Sequence, residues 1–158
     1  MLRMNKLADY GTVVMVFLAQ HNTQLASARD IAAHTRIGLP TVSKILKRLL
    51  AAGLLISVRG SAGGYRLKRP ASDISVAEIL YALDESRGLT ACSSASAFDT
   101  CALHAVCAVQ DNWRLISQAI DDALASVSLE ALAEPQISRQ KINQIKTVVM
   151  GVNRVEST

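Results

Sequence analysis

SARDIAAHTRIGLPTVSKILKRLLAAGLLISVRGSAGGYRL, residues 27–67, carries the strongest local signals in the chain. Ser27 and Asp30 stand three apart, the spacing of a capping box, in which a hydroxyl and a carboxylate satisfy the open amides of a helix start. This predicts a short helix to about Thr35. Gly38 permits a turn, and Pro40 suits the first helical position, where its missing amide hydrogen has no partner to lose. A second helix begins there. Val42, Ile45, Leu46, Leu49 and Leu50 share one face of it, and Thr41, Ser43, Lys44, Lys47 and Arg48 occupy the others. Gly53 ends it, as glycine commonly does. Residues 54–58 are rich in β-forming side chains, residues 59–64 are glycine-rich, and residues 65–67 make a second strand, so a hairpin is expected. Alternation turns Tyr65 and Leu67 inward and Arg66 and Lys68 outward.

Helix, glycine turn, second helix and basic hairpin, in that order, make the pattern of a winged helix-turn-helix. The second helix has an apolar back to hold it on the body. Its front carries the hydroxyls and cations that reach base edges and phosphates. Lys44, Lys47 and Arg48 are expected at phosphates or guanines, and Thr41 and Ser43, near the helix start, at base edges. Arg59 and Arg66 flank a wing tip whose glycines allow close approach to a duplex or entry into the minor groove. Ser61 at the tip and Tyr65 complete the set assigned to double-stranded DNA. A nucleotide-phosphate loop is the competing reading of these glycines, but its Gly, four residues, Gly-Lys pattern is absent.

Charge supports this reading. Residues 1–70 hold 11 Lys and Arg against 2 acids, a balance of +9, whereas residues 71–158 hold 6 against 11, a balance of −5. Such segregation is the electrostatic footprint of a nucleic-acid reader. A winged helix that binds only proteins is the alternative, and it predicts no salt-sensitive affinity for DNA.

Outward from this stretch, Arg3 and Lys6 ahead of an apolar run at 13–19 imitate a secretory signal. Asp9 interrupts it, no small-residue cleavage pattern follows Ala19, and Leu7, Tyr10, Val14, Phe17 and Leu18 repeat at helical spacing. A core helix is expected instead. No stretch approaches the ~20 apolar residues of a membrane span, so no membrane partner and a cytoplasmic location are expected. Ser75 and Glu78 form another capping box, opening a helix with Ile79, Leu80 and Leu83 on its apolar side. A Ser-, Ala- and Thr-rich loop follows at 86–100. From about Ala102 a long helix is expected, because Val106, Val109, Trp113, Ile116, Ile120, Ala123 and Val127 step by three and four. This stripe reads either as ordinary core packing or as a seam pairing with a second copy. A homodimer implies a palindromic operator with half-sites ~34–36 Å apart. Pro135 closes this region, and residues 136–158 show no decisive period.

The expected fold is mainly α with a small β-hairpin, a winged helix-turn-helix joined to a long dimerisation helix. The divisions are residues 1–85 for the DNA-binding domain, 86–101 for a cysteine-bearing loop, 102–134 for the dimerisation helix region and 135–158 for a tail.

Three cysteines, an odd number, argue for a reducing compartment and against a disulfide framework. Cys92, Cys101 and Cys107 are separated by eight and five residues, unlike the close pair that opens a structural zinc site. Three readings stay open: inert buried cysteines, thiolate ligands of an iron-sulfur cluster, or a thiol switch pairing Cys92 with Cys101 or Cys107. His104 stands three residues from both Cys101 and Cys107 and is a candidate fourth ligand. A thiol enzyme using Cys107 and His104 lacks any recognisable orienting group or oxyanion site.

Lys6 to Tyr10, Ser57-Val58-Arg59-Gly60 leading through Gly63-Gly64-Tyr65, Val76-Ala77-Glu78-Ile79, and three cysteines before a long helix together resemble the Rrf-type winged-helix regulators, over residues 1–134. That family includes iron-sulfur assembly regulators and nitric-oxide sensors. The resemblance implies a homodimer crossed through the long helix, an iron-sulfur cluster near that interface, and cluster-dependent DNA binding. A 2Fe-2S cluster is favoured, with 4Fe-4S the alternative. The ligands it implies are Cys92, Cys101 and Cys107. This chain departs from the family in its longer first cysteine gap and in Gln110, which stands where a histidine is expected. For the fourth ligand Asp9, which matches an acidic residue of the partner's first helix in the nitric-oxide branch, ranks ahead of His104 and Gln110. The opening segment and wing look closest to regulators of the Suf iron-sulfur assembly operon, implying a repressor of those genes. A repressor of the same fold that responds to nitric oxide or thiol redox, without a role in cluster assembly, is the alternative.

Overall fold

A computed structural model describes residues 4–60, 62–84 and 107–134. Along them run α1 (Lys6–Gln20), α2 (Ala28–Thr35), α3 (Leu39–Ala51), β1 (Leu55–Val58), β2 (Gly64–Leu67), a 3-10 turn at Ala71–Asp73, α4 (Val76–Leu83), α5 (Gln110–Ala125) and α6 (Leu129–Ala133). The helix, turn, helix and hairpin order is that predicted from residues 27–67. Ser61, Cys92, Cys101, His104, the expected loop at 86–100 and the tail from Pro135 lie outside the described residues.

Helix α1 is central to the core. Asn5 caps it, accepting the Ala8 amide at 2.7 Å. Ala8, Gly11, Val14, Met15, Phe17 and Leu18 are buried, whereas Tyr10, expected in the core, is 37% exposed and Leu7 half-buried. The buried face is rotated away from the one read from large side chains alone. The reason is Gly11: a Cβ there would collide with the Leu83 side chain, so α4 packs where α1 is thinnest.

The α2 capping box forms as predicted, with the Ser27 hydroxyl donating to Asp30 at 2.6 Å and the Asp30 amide donating back to Ser27 Oγ at 3.2 Å. Hydrogen bonds from the Ser27 hydroxyl and then the Ser27 amide hold the Asp30 carboxyl below the usual carboxylate range. Phe17 fastens α2 to the end of α1, its ring centroid 4.4 Å from that of His21 and 4.7 Å from that of His34. The turn into α3 corrects one expectation. Its left-handed residue is Arg36, at φ 58°, whereas Gly38 has an ordinary φ of −56° and serves as N-cap, which puts Pro40 second in the helix.

Val42, Ile45, Leu46 and Leu49 of α3 are fully buried, but Leu50 is exposed. In the hairpin Leu55 faces Leu67 and Ser57 faces Tyr65, with Leu67 buried, Tyr65 half-buried and Arg66 exposed, as alternation requires. Ala26 adds a rung that no sequence pattern announced. Its amide donates to the Tyr65 carbonyl at 3.1 Å, and the Tyr65 amide donates to the Ala26 carbonyl at 2.8 Å. The strands come this close because residue 64 has no side chain; a Cβ on Gly64 would lie 2.7 Å from the Ala26 backbone.

Helix α4 opens with the predicted box. Glu78 accepts from the Ser75 amide at 2.9 Å and from Arg69 at 2.6 Å. The Ser75 amide first, and the Arg69 guanidinium second, hold the Glu78 carboxyl below its ordinary range. A carboxyl whose pKa is lowered by folding stabilises above the unfolded-state pKa, and the contribution is lost as pH falls through the folded value. Glu78→Gln is therefore expected to be less stable than the parent near pH 7, with the difference closing below about pH 4, as read from urea midpoints.

Helix α5 packs against α4. It begins later than the expected start near Ala102: Cys107 is outside any helix, and Val109 is the N-cap at φ −112°, ψ 4°. Trp113, Ile116, Ile120 and Ala123 of the expected seam lie on α5, but Val109 precedes it, Val127 follows it, and Val106 lies outside the described residues. The helix stops because the chain is captured by α4: the Val127 carbonyl accepts the Val76 amide at 2.8 Å. Ser128 then caps α6, accepting the Ala131 amide at 3.1 Å. The Leu129 amide reaches the Ile74 carbonyl at 2.7 Å, and its side chain, wholly buried, joins the same core as α1 and α3.

Candidate nucleic-acid interface

The four buried residues of α3 leave a free arc on the opposite side. At about 100° per residue, Pro40, Lys44 and Lys47 fall at the centre of that arc, Ser43 on one edge, and Thr41 and Arg48 on the other. Burial follows this placement: Pro40, Lys44 and Lys47 are exposed, and Thr41, Ser43 and Arg48 half-buried. Two cations spaced i, i+3 on a helix whose back is clamped in the core form a rigid positive ridge. No side chain caps the N-terminus of α3, so the positive end of its dipole also remains available to a phosphate.

Arg48 is placed differently from Lys44 and Lys47. Its Nη1 donates to the Leu83 carbonyl at 2.7 Å, turning the guanidinium toward the end of α4 and away from the lysine ridge.

In the wing, Arg59 and Arg66 are exposed and Gly60 adopts φ 122°, a conformation that favours glycine at the tip. A Cβ on Gly63 would collide with the Val58 carbonyl, so the tip is tight as well as small. Tyr65, half-buried, packs one side against the core cluster and so anchors the hairpin. Ser61 lies outside the described residues. Sequence reading left Lys68 and Arg36 without an assignment, and both are exposed, Lys68 at the base of the wing and Arg36 in the turn before α3. The signal for Arg36 was its place three residues ahead of the helix start.

Of the candidate cluster ligands, Cys107 and Asp9 fall within the described residues. Cys107 is half-buried ahead of α5, and Asp9 is exposed on the first turn of α1. Gln110, the lowest-ranked candidate, opens α5 half-buried. Among the described residues no three His, Cys, Asp or Glu side chains come together in one chain. Helix α5 exposes Trp113 by 38%, Ile116 by 45% and Leu115 by 69%. Among the described residues no helix is long and apolar enough to cross a membrane.

Comparison with known proteins extends the picture. A family model, Rrf2, described as an iron-dependent transcriptional regulator, matches residues 4–135. The HTH-type transcriptional regulator IscR of Photorhabdus laumondii is 34% identical over 139 residues, covering 85% of this chain and 81% of that protein. Among solved structures, CymR, the global cysteine regulator of B. subtilis, superposes with a TM-score of 0.70 at 25% identity, covering 86% of this chain and 99% of CymR. IscR of T. potens superposes with a TM-score of 0.65 at 27% identity, covering 85% of this chain and 89% of that structure.

Proposed function

The chain belongs to the Rrf2 family of transcriptional regulators, and from that premise we propose that it is a homodimeric repressor of iron-sulfur assembly genes, reading a palindromic operator and responding to an iron-sulfur cluster. As a regulator it acts by binding DNA and not as an enzyme. The observation that carries the reading is the lysine ridge of α3 beside a wing with two exposed arginines, on a core that immobilises both. Lys44 and Lys47 neutralise phosphates, Thr41 and Ser43 approach base edges, and Arg59 and Arg66 hold the wing to the adjoining backbone.

The apolar stripe of Trp113 and Ile116 supports pairing of α5 with a second copy, because large apolar side chains held in water on one helix face are stabilised by burial against a twin. Cys92, Cys101 and Cys107 would hold the cluster through thiolates, with Asp9 from the second copy as fourth ligand. Cys107 and Asp9 suit this role in donor type and in being accessible. When bound, such a cluster supplies a centre sensitive to oxidants and iron supply.

Anaerobic purification should yield protein containing iron and sulfide with a visible absorption band, and Cys107→Ala should lose both. Loaded and empty forms should differ about 5- to 150-fold in affinity for a palindrome selected from a random duplex pool. Wild-type protein free of iron and sulfide would overturn the cluster and leave thiol chemistry as the signal.

A further inference from the structure

We infer that Arg48 is a positioning residue, which locks the reading helix to the end of α4 and carries the state of the cysteine-bearing segment to the lysine ridge. The inference rests on the proposed cluster-sensing function.

Leu83 is a junction of three elements. It is the last residue of α4, its side chain fills the space left open by Gly11 of α1, and its carbonyl accepts the Arg48 guanidinium of α3 at 2.7 Å. The last carbonyls of a helix have no intrahelical donor, and a cation placed there also meets the negative end of the dipole. Val42, Ile45, Leu46 and Leu49 hold the back of α3 by apolar packing, which is non-directional and tolerates small rotations. A charge-assisted hydrogen bond is directional and fixes the rotation of the helix.

Location gives this bond its consequence. The Asp84 amide closes α4 on the Leu80 carbonyl at 2.8 Å, and the next residue opens the segment 85–106 that contains Cys92 and Cys101. A displacement of the chain at Asp84, where it leaves α4, reaches the adjacent Leu83 carbonyl. Arg48 transmits the displacement to α3, and Lys44, one turn before it, and Lys47, beside it, move together. The residue thus acts through the lysines without touching DNA itself.

The test is operator binding by wild type, Arg48→Ala and Arg48→Lys, each in the cluster-loaded and the metal-free form, over a series of salt concentrations. The DNA is a palindrome selected by the wild type from a random pool. Arg48→Ala is expected to bring the ratio of loaded to empty affinity within about threefold of one while the salt slope of each form stays unchanged. Arg48→Lys keeps a donor that reaches the same carbonyl and should retain part of the ratio. If Arg48→Ala fails to fold by circular dichroism, Arg48→Met, which keeps an apolar stem and removes the donor to the Leu83 carbonyl, decides in its place, and a full wild-type ratio in it overturns the proposal. A salt slope lower by about 1.8 per dimer with the ratio kept identifies Arg48 as a phosphate contact and also overturns it. Ratio and slope both kept reduce Arg48 to a stabilising contact. Equal affinities of the two wild-type forms mean instead that the sensing function itself has failed, and the role of Arg48 with it.

Discussion

Replacing Lys44 and Lys47 together by alanine is expected to weaken operator binding about 10³-fold at physiological salt, from four lost contacts in the proposed dimer at roughly 1 kcal/mol each. Both side chains stand on the outward arc of α3, exposed, while Val42, Ile45, Leu46 and Leu49 keep their places behind them. The fold should therefore survive, and circular dichroism and the unfolding midpoint should be those of the wild type. The slope of log affinity against log salt should fall by about 3.6, the release expected for four phosphates. Affinity for random duplex should fall as well, because phosphate contacts carry no sequence information. Fluorescence anisotropy across a salt series measures all of this. Wild-type affinity in the double variant would remove α3 from the interface, and the docking through α3 and the wing would have to be abandoned.

The second large effect concerns stability and comes from a residue far from the reading helix in sequence. Leu129→Ala should cost about 2–5 kcal/mol, the range for a buried leucine whose site cannot collapse. Against a total of about 5–15 kcal/mol for a domain, this is a large fraction, and a lowering of the melting temperature by about 4–20 °C is expected. Leu129 is fully buried in the same cluster as Leu18 of α1 and Ile45 of α3, and its amide is tied to Ile74. Residues 128–134 thus complete the core of the winged helix, although they follow α5 in the chain. Thermal unfolding at two protein concentrations tests this. A loss that disappears at high concentration would place α6 in the dimer contact, and a change under about 1 kcal/mol would show that the core does not depend on it.

The features legible in the chain alone are those carried by local pattern. Ser27 with Asp30, and Ser75 with Glu78, satisfy amides within three residues, so their helix starts were legible without any tertiary knowledge. The apolar period of α3 and the glycines of the wing are equally local, and with the segregated charge they led to the winged helix and its lysine ridge. Contacts between distant residues settled the rest. Tyr10 lies outside the core because Gly11 admits Leu83 from α4, a contact between residues 72 positions apart. Arg48 turns from the ridge because the end of α4 offers it an open carbonyl. Helix α5 stops at Ala125, and α6 returns to the core, because the backbone of residues 74–76 supplies the partners for Val127 and Leu129. Each of these depends on which distant group comes to rest beside a residue, and periodicity records only the face a residue shares, not the neighbour that will meet it.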